Sequence, residues 1–359
     1  MIVIADDITG AAEIAGIAHR LGQQVRLLTT TPVSGDSFDA NVITVIATDT
    51  RSMTEAESVA ETRRLTSHLL PLSAHLFKKT DSALRGHVVA ELAALMQAAG
   101  YRRAVYLPAN PSKGRVIRNG IYYIDQKPIH QTAFSFDPEF PATTSVLSER
   151  FPDADSQGIV MPDGETLDDL HRVITDYDDG HTLFAGAADL FTCLIGKKGT
   201  SGQVSDDGDS LLQGSILIVC GSTQSRPLGL GIPISPMPDV LYDGSCDVNL
   251  WDGRAYEQQH SLILTIPQRH RTGHVAAVHL RTMTARMVAR LVAVHRPDNL
   301  VIEGGATAYA VLRQLGWNDL TVTREIAPGV VRMRAACGTT VTLKPGSYPM
   351  GAIIHSLAH

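Results

Sequence analysis

Short apolar runs alternate with amphipathic stretches along the first half of the chain. Apolar residues recur at helical spacing after the first run, as at Ile14, Ile17 and Leu21. Gly22 then follows, where a helix end favours a residue that tolerates left-handed backbone. This alternation is typical of βα units and a mostly parallel sheet. It predicts strands over residues 2–5, 25–28, 42–47, 75–78 and 104–107, and helices over residues 54–70 and 87–99.

The pattern changes after Pro108. Two short segments typical of strands, residues 116–117 and 121–124, flank Asn119-Gly120, which is a strong signal for a tight hairpin. We predict that this hairpin extends the sheet as an antiparallel addition. A strand at residues 158–161, a helix at 166–177 and an alanine-rich stretch at 185–194 then complete the first domain.

A segment with few apolar residues, 196–213, is rich in Gly, Ser and Asp and precedes a second set of apolar runs. The predicted organisation is a first domain over residues 1–200, a linker over 201–214 and a second domain over 215–359. In the second domain the pattern predicts strands at residues 215–220, 261–266, 300–302 and 339–343, with helices at 275–295 and 307–315. The predicted fold class is α/β, with a mostly parallel sheet flanked by helices in each domain.

Composition limits the classes of partner. The chain has 359 residues, about twice a typical domain, with 44% hydrophobic and 19% charged residues, as in ordinary globular proteins. The formal net charge of -6 argues against a general nucleic-acid or anionic-membrane surface, so we expect a small-molecule partner. The four cysteines have no zinc-site spacing, and neither a signal peptide nor a long apolar span is visible. We therefore expect a cytoplasmic protein.

Two acidic residues directly follow the first predicted strand. Asp6 and Asp7 precede Thr9 and Gly10, which lead into a helix. In open α/β sheets the ligand crevice lies at the carboxyl ends of the strands, so these carboxylates are candidates to orient or deprotonate a substrate hydroxyl. The alternative is that one aspartate only caps the helix.

The turn after the fourth predicted strand combines cations, hydroxyls and a carboxylate. It contains Lys79, Asp81 and Arg85. Arginine can bind a carboxylate through two parallel hydrogen bonds, and lysine can neutralise a phosphoryl group. The alternative is a solvated turn in which these charges pair with one another. A third polar turn, residues 108–115, is a candidate for one wall of the same pocket.

Glycine-containing turns in the second domain are candidates for phosphate binding. Gly304 and Gly305 lie between a strand and a helix, where the backbone can approach an anion and the helix dipole favours it. Lys344 and Gly346 follow the last strand, and Ser222 follows the strand at 215–220. Each segment taken alone also fits an ordinary turn. The sequence has no Walker, GxGxxG, HExxH or GxSxG motif, which disfavours the enzyme classes that these motifs mark.

Four motifs, in this order along the chain, resemble the four-carbon acid sugar kinase family, long catalogued as a domain of unknown function. They are ADDITGA at residues 5–11, KKTDSALRG at 78–86, GGATA at 304–308 and KPGS at 344–347. The first two motifs are specific and the last two are looser. Residues 122–125, 128–134 and 137–138 also resemble the family's hairpin and the segment after it. The resemblance covers essentially the whole chain.

The resemblance implies a first domain that binds a sugar acid, a second domain that binds ATP, and an active site in the cleft between them. The reaction would transfer a phosphoryl group to the terminal hydroxyl of a threonate or an erythronate. The family's functional residues carry over to matching positions of this chain. The sugar-acid site falls on Asp6, Asp7, Lys79, Asp81 and Arg85, and the nucleotide site on Ser222, Gly304, Gly305, Lys344 and Gly346.

Two departures from the family pattern concern the nucleotide site. Ala306 stands where the family commonly has an acidic residue after the glycine pair, with Glu303 and Glu325 as candidates to compensate. Tyr348-Pro349 follows Ser347, where the family usually continues with Phe-Gly. No protein ligand for a metal is assigned.

In the resulting hypothesis Arg85 binds the substrate carboxylate, and Asp7 or Asp81 orients the 4-hydroxyl and accepts its proton late. Lys79 or Lys344, with Mg²⁺, offsets the charge of the γ-phosphate, so Asp7, Asp81 and Lys79 are the catalytic candidates. Two alternatives stay open: a different enzyme of sugar acids, such as a dehydrogenase or lyase, and a sugar-acid-binding regulatory protein without nucleotide chemistry. The substrate stereoisomer and the oligomeric state, including a homo-oligomer, also stay open.

Overall fold

The computed structural model describes residues 1–31, 38–69, 75–196, 213–221, 231–267, 269 and 273–346. The chain divides into two compact units, Met1–Gln203 and Val204–His359. Within the predicted linker, residues 201–212 lie outside the described residues. The domain limits 1–200 and 215–359 stay a prediction.

The first unit contains ten strands and six helices among its described residues. The strands are β1 (Ile2–Ala5), β2 (Gln24–Leu28), β3 (Val42–Ala47), β4 (Leu76–Lys79), β5 (Arg103–Leu107), β6 (Arg115–Arg118), β7 (Ile121–Ile124), β8 (Lys127–Pro128), β9 (Ile159–Val160) and β10 (Thr182–Gly186). The helices are α1 (Ile8–Arg20), α2 (Glu55–Leu69), α3 (Val88–Ala99), α4 (Leu147–Arg150), α5 (Leu167–Tyr177) and α6 (Ala188–Gly196).

The main sheet of this unit is parallel, in the order β2-β3-β1-β4-β10-β5-β9. β1 lies inside the sheet, and all four of its residues are buried, as expected for a parallel strand that is covered on both faces. The helices pack in two groups, α1 with α6 and α6 with α5 in one, and α2 with α3 in the other. The α/β prediction for this part of the chain is confirmed.

One prediction for the first unit needs correction, and one strand was missed. The hairpin of β6 and β7 turns at Asn119 and Gly120 as predicted, but with β8 it forms a separate antiparallel sheet instead of extending the main one. β5 already pairs with β10 on one side and β9 on the other, so its edges are occupied. β10, which begins just before the alanine-rich stretch, is an additional strand that was not predicted.

The second unit contains seven strands and four α-helices among its described residues. Its strands are β11 (Ile216–Cys220), β12 (Ile234–Pro236), β13 (Ser261–Thr265), β14 (Asn299–Glu303), β15 (Asp319–Ala327), β16 (Val330–Ala335) and β17 (Thr340–Lys344). Its helices are α7 (Asp239–Tyr242), α8 (Arg254–Gln259), α9 (His274–Val294) and α10 (Gly305–Leu315).

The strand order in the second unit is β12-β13-β11-β14-β17-β16-β15. The first five strands are parallel, and β16 and β15 are antiparallel, so the prediction of a mostly parallel sheet is confirmed. The hairpin of β15 and β16 was not predicted. Its strands carry charged residues on partly exposed positions, which weakens the apolar signal. No helix among the described residues is long and apolar enough to cross a membrane.

Candidate functional site

The carboxyl ends of β3, β1 and β4 meet at one edge of the first sheet. The pairing register aligns Ala5 of β1 with Ala47 of β3 and with Lys79 of β4. The residues that follow these strands therefore emerge side by side. The structure brings the five predicted sugar-acid residues together here, namely Asp6, Asp7, Lys79, Asp81 and Arg85.

Asp7 caps helix α1. Its Oδ1 atom accepts a hydrogen bond from the backbone N–H of Gly10, at 2.8 Å. A Cβ atom at position 10 would lie 2.8 Å from this oxygen, so the glycine is needed for the close approach. Among the described residues, no donor contacts the second oxygen, Oδ2, and the side chain is 21% exposed. Capping thus leaves part of this carboxylate available to a ligand.

Arg51 joins the aspartates of the edge, and sequence reasoning missed it. It lies in the short 3₁₀ turn Thr50–Ser52 after β3. Its Nε and Nη2 atoms donate to Asp6 Oδ2 and Oδ1, at 3.0 and 2.9 Å, and Nη2 also donates to Asp7 Oδ1 at 3.1 Å. Its Nη1 atom lies 3.5 Å from Asp81 Oδ1. One guanidinium therefore holds three carboxylates in place.

The surroundings of Asp6 and Asp81 shift the pKa values of these two carboxyl groups in opposite directions. Burial raises the pKa of Asp6 to about 6, with a further rise from Asp7, although Arg51 opposes it. Burial also acts on Asp81, but Arg51 and Arg85 outweigh it and hold the pKa of that carboxyl well below its usual range. Asp81 is therefore ionised and has a structural role. Of the two carboxyl groups, Asp6 takes up a proton more readily.

Arg85 lies in the site but is already bound to a carboxylate. Its Nε and Nη2 atoms donate to Asp81 Oδ2 and Oδ1, at 3.0 and 2.9 Å, in the parallel arrangement expected for this pair. Its Nη1 atom lies 3.5 Å from Asp137 Oδ2. The side chain is 32% exposed. The predicted alternative of a turn whose charges pair with one another therefore describes part of this loop.

Two lysines at the end of β4 point to opposite faces of the sheet, as successive strand residues do. Lys79 lies 3.5 Å from Glu13 of α1 and donates to the carbonyl oxygen of Thr80 at 3.0 Å. Lys78 is buried against Glu91 of α3. The Glu91 carboxylate also accepts a hydrogen bond from Thr50, at 3.1 Å, and so helps to position the turn that carries Arg51.

The predicted third turn packs beside the loop of residues 81–85. Ser112 donates to Asp189 through both its backbone N–H and its hydroxyl, at 2.8 Å each. Arg115, the last residue of this turn, contacts the hydroxyl of Ser82. The hydroxyl of Tyr122 donates to the carbonyl oxygen of Ser82 at 2.5 Å. The hairpin of β6 and β7 is thus fixed to the same loop that carries Asp81 and Arg85.

In the second unit, Glu303 and Lys344 end the neighbouring strands β14 and β17 and are aligned in register. Lys344 Nζ donates to Glu303 Oε1 at 2.7 Å, and both side chains are almost fully buried. Gly304 has φ of 98°, a backbone conformation that favours glycine, and it caps α10, whose first residue is Gly305. Gly346 is partly buried just after β17, and Ser222 lies outside the described residues.

Models of two protein families match separate parts of the chain. A sugar-binding N-terminal domain matches residues 1–159, and a nucleotide-binding C-terminal domain matches residues 254–348. The D-threonate kinase of Bordetella bronchiseptica is 25% identical over 96% of this chain and 93% of its own length. The chain belongs to the four-carbon acid sugar kinase family.

Other relatives agree with this family assignment. The 3-oxo-tetronate kinase of Brucella melitensis is 24% identical over 96% of this chain and 92% of its own length. A crystal structure of a Haemophilus influenzae protein of the DUF1537 family covers 100% of this chain and 99% of its own, with a TM-score of 0.74 and 18% identity. At that identity the structural likeness supports the fold alone. The resemblance drawn from the four motifs is thus confirmed.

Proposed function

We propose that this member of the acid sugar kinase family is an ATP-dependent kinase that phosphorylates the terminal 4-hydroxyl of a four-carbon sugar acid, such as D-threonate or D-erythronate. The observation that carries the proposal is the edge where Asp6, Asp7 and Asp81 surround Arg51 beside Lys79. Such an edge offers both acceptors for sugar hydroxyls and cations for acidic groups. The activities named for the relatives, D-threonate kinase and 3-oxo-tetronate kinase, support the same substrate class.

Among the aspartates, Asp7 is the one we propose to orient the 4-hydroxyl and to accept its proton. Both oxygens of Asp6 are bound by Arg51, and both oxygens of Asp81 are bound by Arg85. The low pKa of Asp81 also makes it a weak proton acceptor. Asp7 keeps one oxygen without a donor among the described residues, and its side chain reaches solvent. Asp81 then serves to fix Arg85.

The remaining substrate contacts come from Lys79 and Arg85, two of the three cations of the KKTDSALRG segment. We propose that Lys79 approaches the transferred phosphoryl group, because its ammonium is 3.5 Å from Glu13 and so is only loosely paired. Arg85 contributes Nη1, the guanidinium nitrogen that does not donate to Asp81. Phosphoryl transfer needs positioning and charge neutralisation more than covalent help, and these groups supply both.

For the nucleotide, we propose that the turn at Gly304 and Gly305 holds ATP phosphates at the start of α10, with Lys344, Gly346 and Ser222 in the same site. The free backbone N–H groups at a helix start favour anions. The first turn of α10 contains no acidic residue that would oppose them, as expected with alanine at position 306. Glu303 is bound by Lys344, so we propose that it orients the lysine instead of replacing an acidic residue at 306.

Mg²⁺ is proposed as part of the nucleotide substrate. Within the described ranges no three His, Cys, Asp or Glu side chains form a group that could hold a metal ion. Mg²⁺ in kinases is held by one or two carboxylates together with phosphate oxygens and waters, which is compatible with this arrangement. We assign it no protein ligand. A cytoplasmic location, where ATP is available, is also part of the proposal, and the cleft between the two domains stays a prediction.

The test is a coupled assay of ADP release over a panel of D-threonate, D-erythronate, L-threonate and 3-oxo-tetronate. We expect ADP release with at least one acid, and none without acid. A flat response over the whole panel would contradict the proposal. Calorimetry with Mg-ATP then separates the alternative, because a sugar-acid-binding regulatory protein would bind an acid and give no heat with the nucleotide.

A further inference from the structure

Arg115 is a partly buried arginine at the edge of the sugar-acid site. It begins β6, and its guanidinium contacts the hydroxyl of Ser82, within the loop that carries Asp81 and Arg85. The guanidinium lies 5.7 Å from the centroid of the Phe134 ring. Arg85 lies 5.9 Å from the centroid of the same ring. Two arginines therefore converge on one aromatic side chain beside the substrate loop.

The charge of Arg115 has no carboxylate partner among the described residues, unlike the other guanidiniums of the site. Arg51 is paired with Asp6, Asp7 and Asp81, and Arg85 is paired with Asp81. Within the described part of the chain, the Ser82 hydroxyl is the one hydrogen-bond acceptor of the Arg115 side chain. A guanidinium has five N–H donors, so most of its hydrogen-bonding capacity is unused.

The backbone around Arg115 holds this side chain in place. Arg115 and Asn110 exchange two backbone hydrogen bonds, at 2.7 and 3.2 Å. The side-chain oxygen of Asn110 accepts the backbone N–H of Asp189, at 2.9 Å, so the turn is tied to the start of α6. Stacking on Phe134 restricts the guanidinium further. Placement of this kind lowers the entropy cost of binding a ligand.

We infer that the guanidinium of Arg115 binds the carboxylate of the sugar-acid substrate. The inference rests on the proposed function and assigns the main carboxylate contact to a residue outside the five predicted sugar-acid residues. Arg85 cannot offer a parallel pair of donors while Nε and Nη2 are bound to Asp81. Arg115 has donors available for such a pair, and its charge needs an anion. Arg85 supports the same carboxylate through Nη1 alone.

The experiment compares the binding of D-threonate with that of D-threitol, which has a CH₂OH group in place of the carboxylate. Calorimetry without nucleotide gives both affinities for the wild-type protein and for the variants. We expect Arg115→Ala to weaken acid binding about 10- to 150-fold, the factor for one lost hydrogen-bonded contact to a charged group. Binding of the neutral tetritol should stay nearly unchanged. Arg115→Lys should recover part of the acid affinity.

Arg118→Ala is the matched control. Arg118 lies in the same strand and also stacks on an aromatic ring, 5.7 Å from the centroid of Tyr123, but it is paired with Glu165. This variant should bind both compounds like the wild type.

Ser82→Ala tests whether Arg115 acts only by holding the loop. It should keep the ratio of acid to tetritol affinity, and a ratio lowered as far as in Arg115→Ala would overturn the inference.

Two further outcomes separate this inference from the proposed kinase activity. If the wild-type protein binds the acid through Arg115 but releases no ADP, the kinase proposal fails and the carboxylate assignment stands. If ADP release is normal and Arg115→Ala leaves both the acid affinity and the acid KM unchanged, the assignment fails and the kinase proposal stands. A wild-type protein that binds no acid of the panel overturns the assignment as well, and unchanged thermal unfolding of Arg115→Ala rules out misfolding as the cause of weak binding.

Discussion

Arg51 donates through Nε and Nη2 to both carboxylate oxygens of Asp6, at 3.0 and 2.9 Å. Asp6 is only 3% exposed, so water cannot replace these bonds. We expect Arg51→Ala to lower the free energy of unfolding by about 3–5 kcal/mol at pH 7, the usual cost of removing one partner of a buried ion pair. Chemical denaturation measures this loss.

The control for this variant is Arg103→Ala, because Arg103 pairs with Asp179 at the surface. An exposed ion pair contributes little, so the control should unfold almost like the wild type. A loss for Arg51→Ala no larger than that for Arg103→Ala would show that Asp6 finds other partners.

The acidity of Asp6 is expected to depend on its neighbour Asp7. The pKa of Asp6 is raised to about 6, above its ordinary value of 3.8, by burial and then by the repulsion of Asp7, against the attraction of Arg51. In Asp7→Asn the repulsion is removed, so the pKa of Asp6 should fall. A ¹³C NMR titration of labelled aspartate carboxyl groups checks this, with one resonance titrating near pH 6 in the wild type and lower in the variant.

The raised pKa of Asp6 also determines how the free energy of unfolding changes with pH. The folded state binds the Asp6 proton more tightly than the unfolded state does. Asp6 therefore makes the unfolding free energy fall as the pH rises from about 4 to about 6. An Asp6 resonance that titrates at or below pH 4 would contradict both the assignment and the pH dependence. Glu13→Gln is the control variant, because Glu13 is not among the groups that shift Asp6.

Substitution of Asp7 also tests its proposed role towards the 4-hydroxyl. Asparagine caps a helix as well as aspartate does, so Asp7→Asn should keep the bond to Gly10 and the stability of α1. It cannot accept a proton. We expect kcat to fall about 100- to 10,000-fold with a smaller change in the sugar-acid KM, the usual effect of removing a general base.

Steady-state kinetics by ADP release measures both constants, and thermal unfolding confirms that the fold is kept. Asp81→Asn provides the comparison, since the structure gives Asp81 the role of holding Arg85. We expect that variant to act mainly on the sugar-acid KM. A larger loss of kcat in Asp81→Asn than in Asp7→Asn would reverse the assignment of the two aspartates.

The local apolar pattern of the sequence was sufficient to predict most strands of the main sheet in the first unit. The strands β1 and β3 lie in segments that are apolar apart from Thr44, because both strands are buried on two faces. β10 is different, since Thr182–Gly186 leads directly into an alanine-rich stretch, and short apolar runs of this kind fit a strand or a buried helix equally well. Its place between β4 and β5 depends on long-range pairing that no local pattern records.

The candidate site was predictable where a strand end carried an unusual set of charges. Asp6, Asp7 and the segment around Asp81 stood out for that reason. Arg51 did not, because it belongs to a polar segment that reads as an ordinary approach to α2. Asp49, two residues earlier, has φ of 56°, and this left-handed residue turns the chain so that Arg51 meets the aspartates. A hydrophobic pattern carries no signal for such a turn.

In the second unit, Lys344 and Glu303 form a buried ion pair, and a pair of substitutions separates its structural role from its proposed role in ATP binding. Lys344→Met removes one partner of this buried ion pair, so we expect a loss of about 3–5 kcal/mol of stability. The double variant Glu303→Gln/Lys344→Met removes both charges and should recover most of that stability. The ATP KM should stay raised in both variants, because both lack the cation, while the sugar-acid KM stays near that of the wild type. Chemical denaturation and ADP-release kinetics give these quantities, and normal use of ATP by the double variant would show that Lys344 serves only to neutralise Glu303.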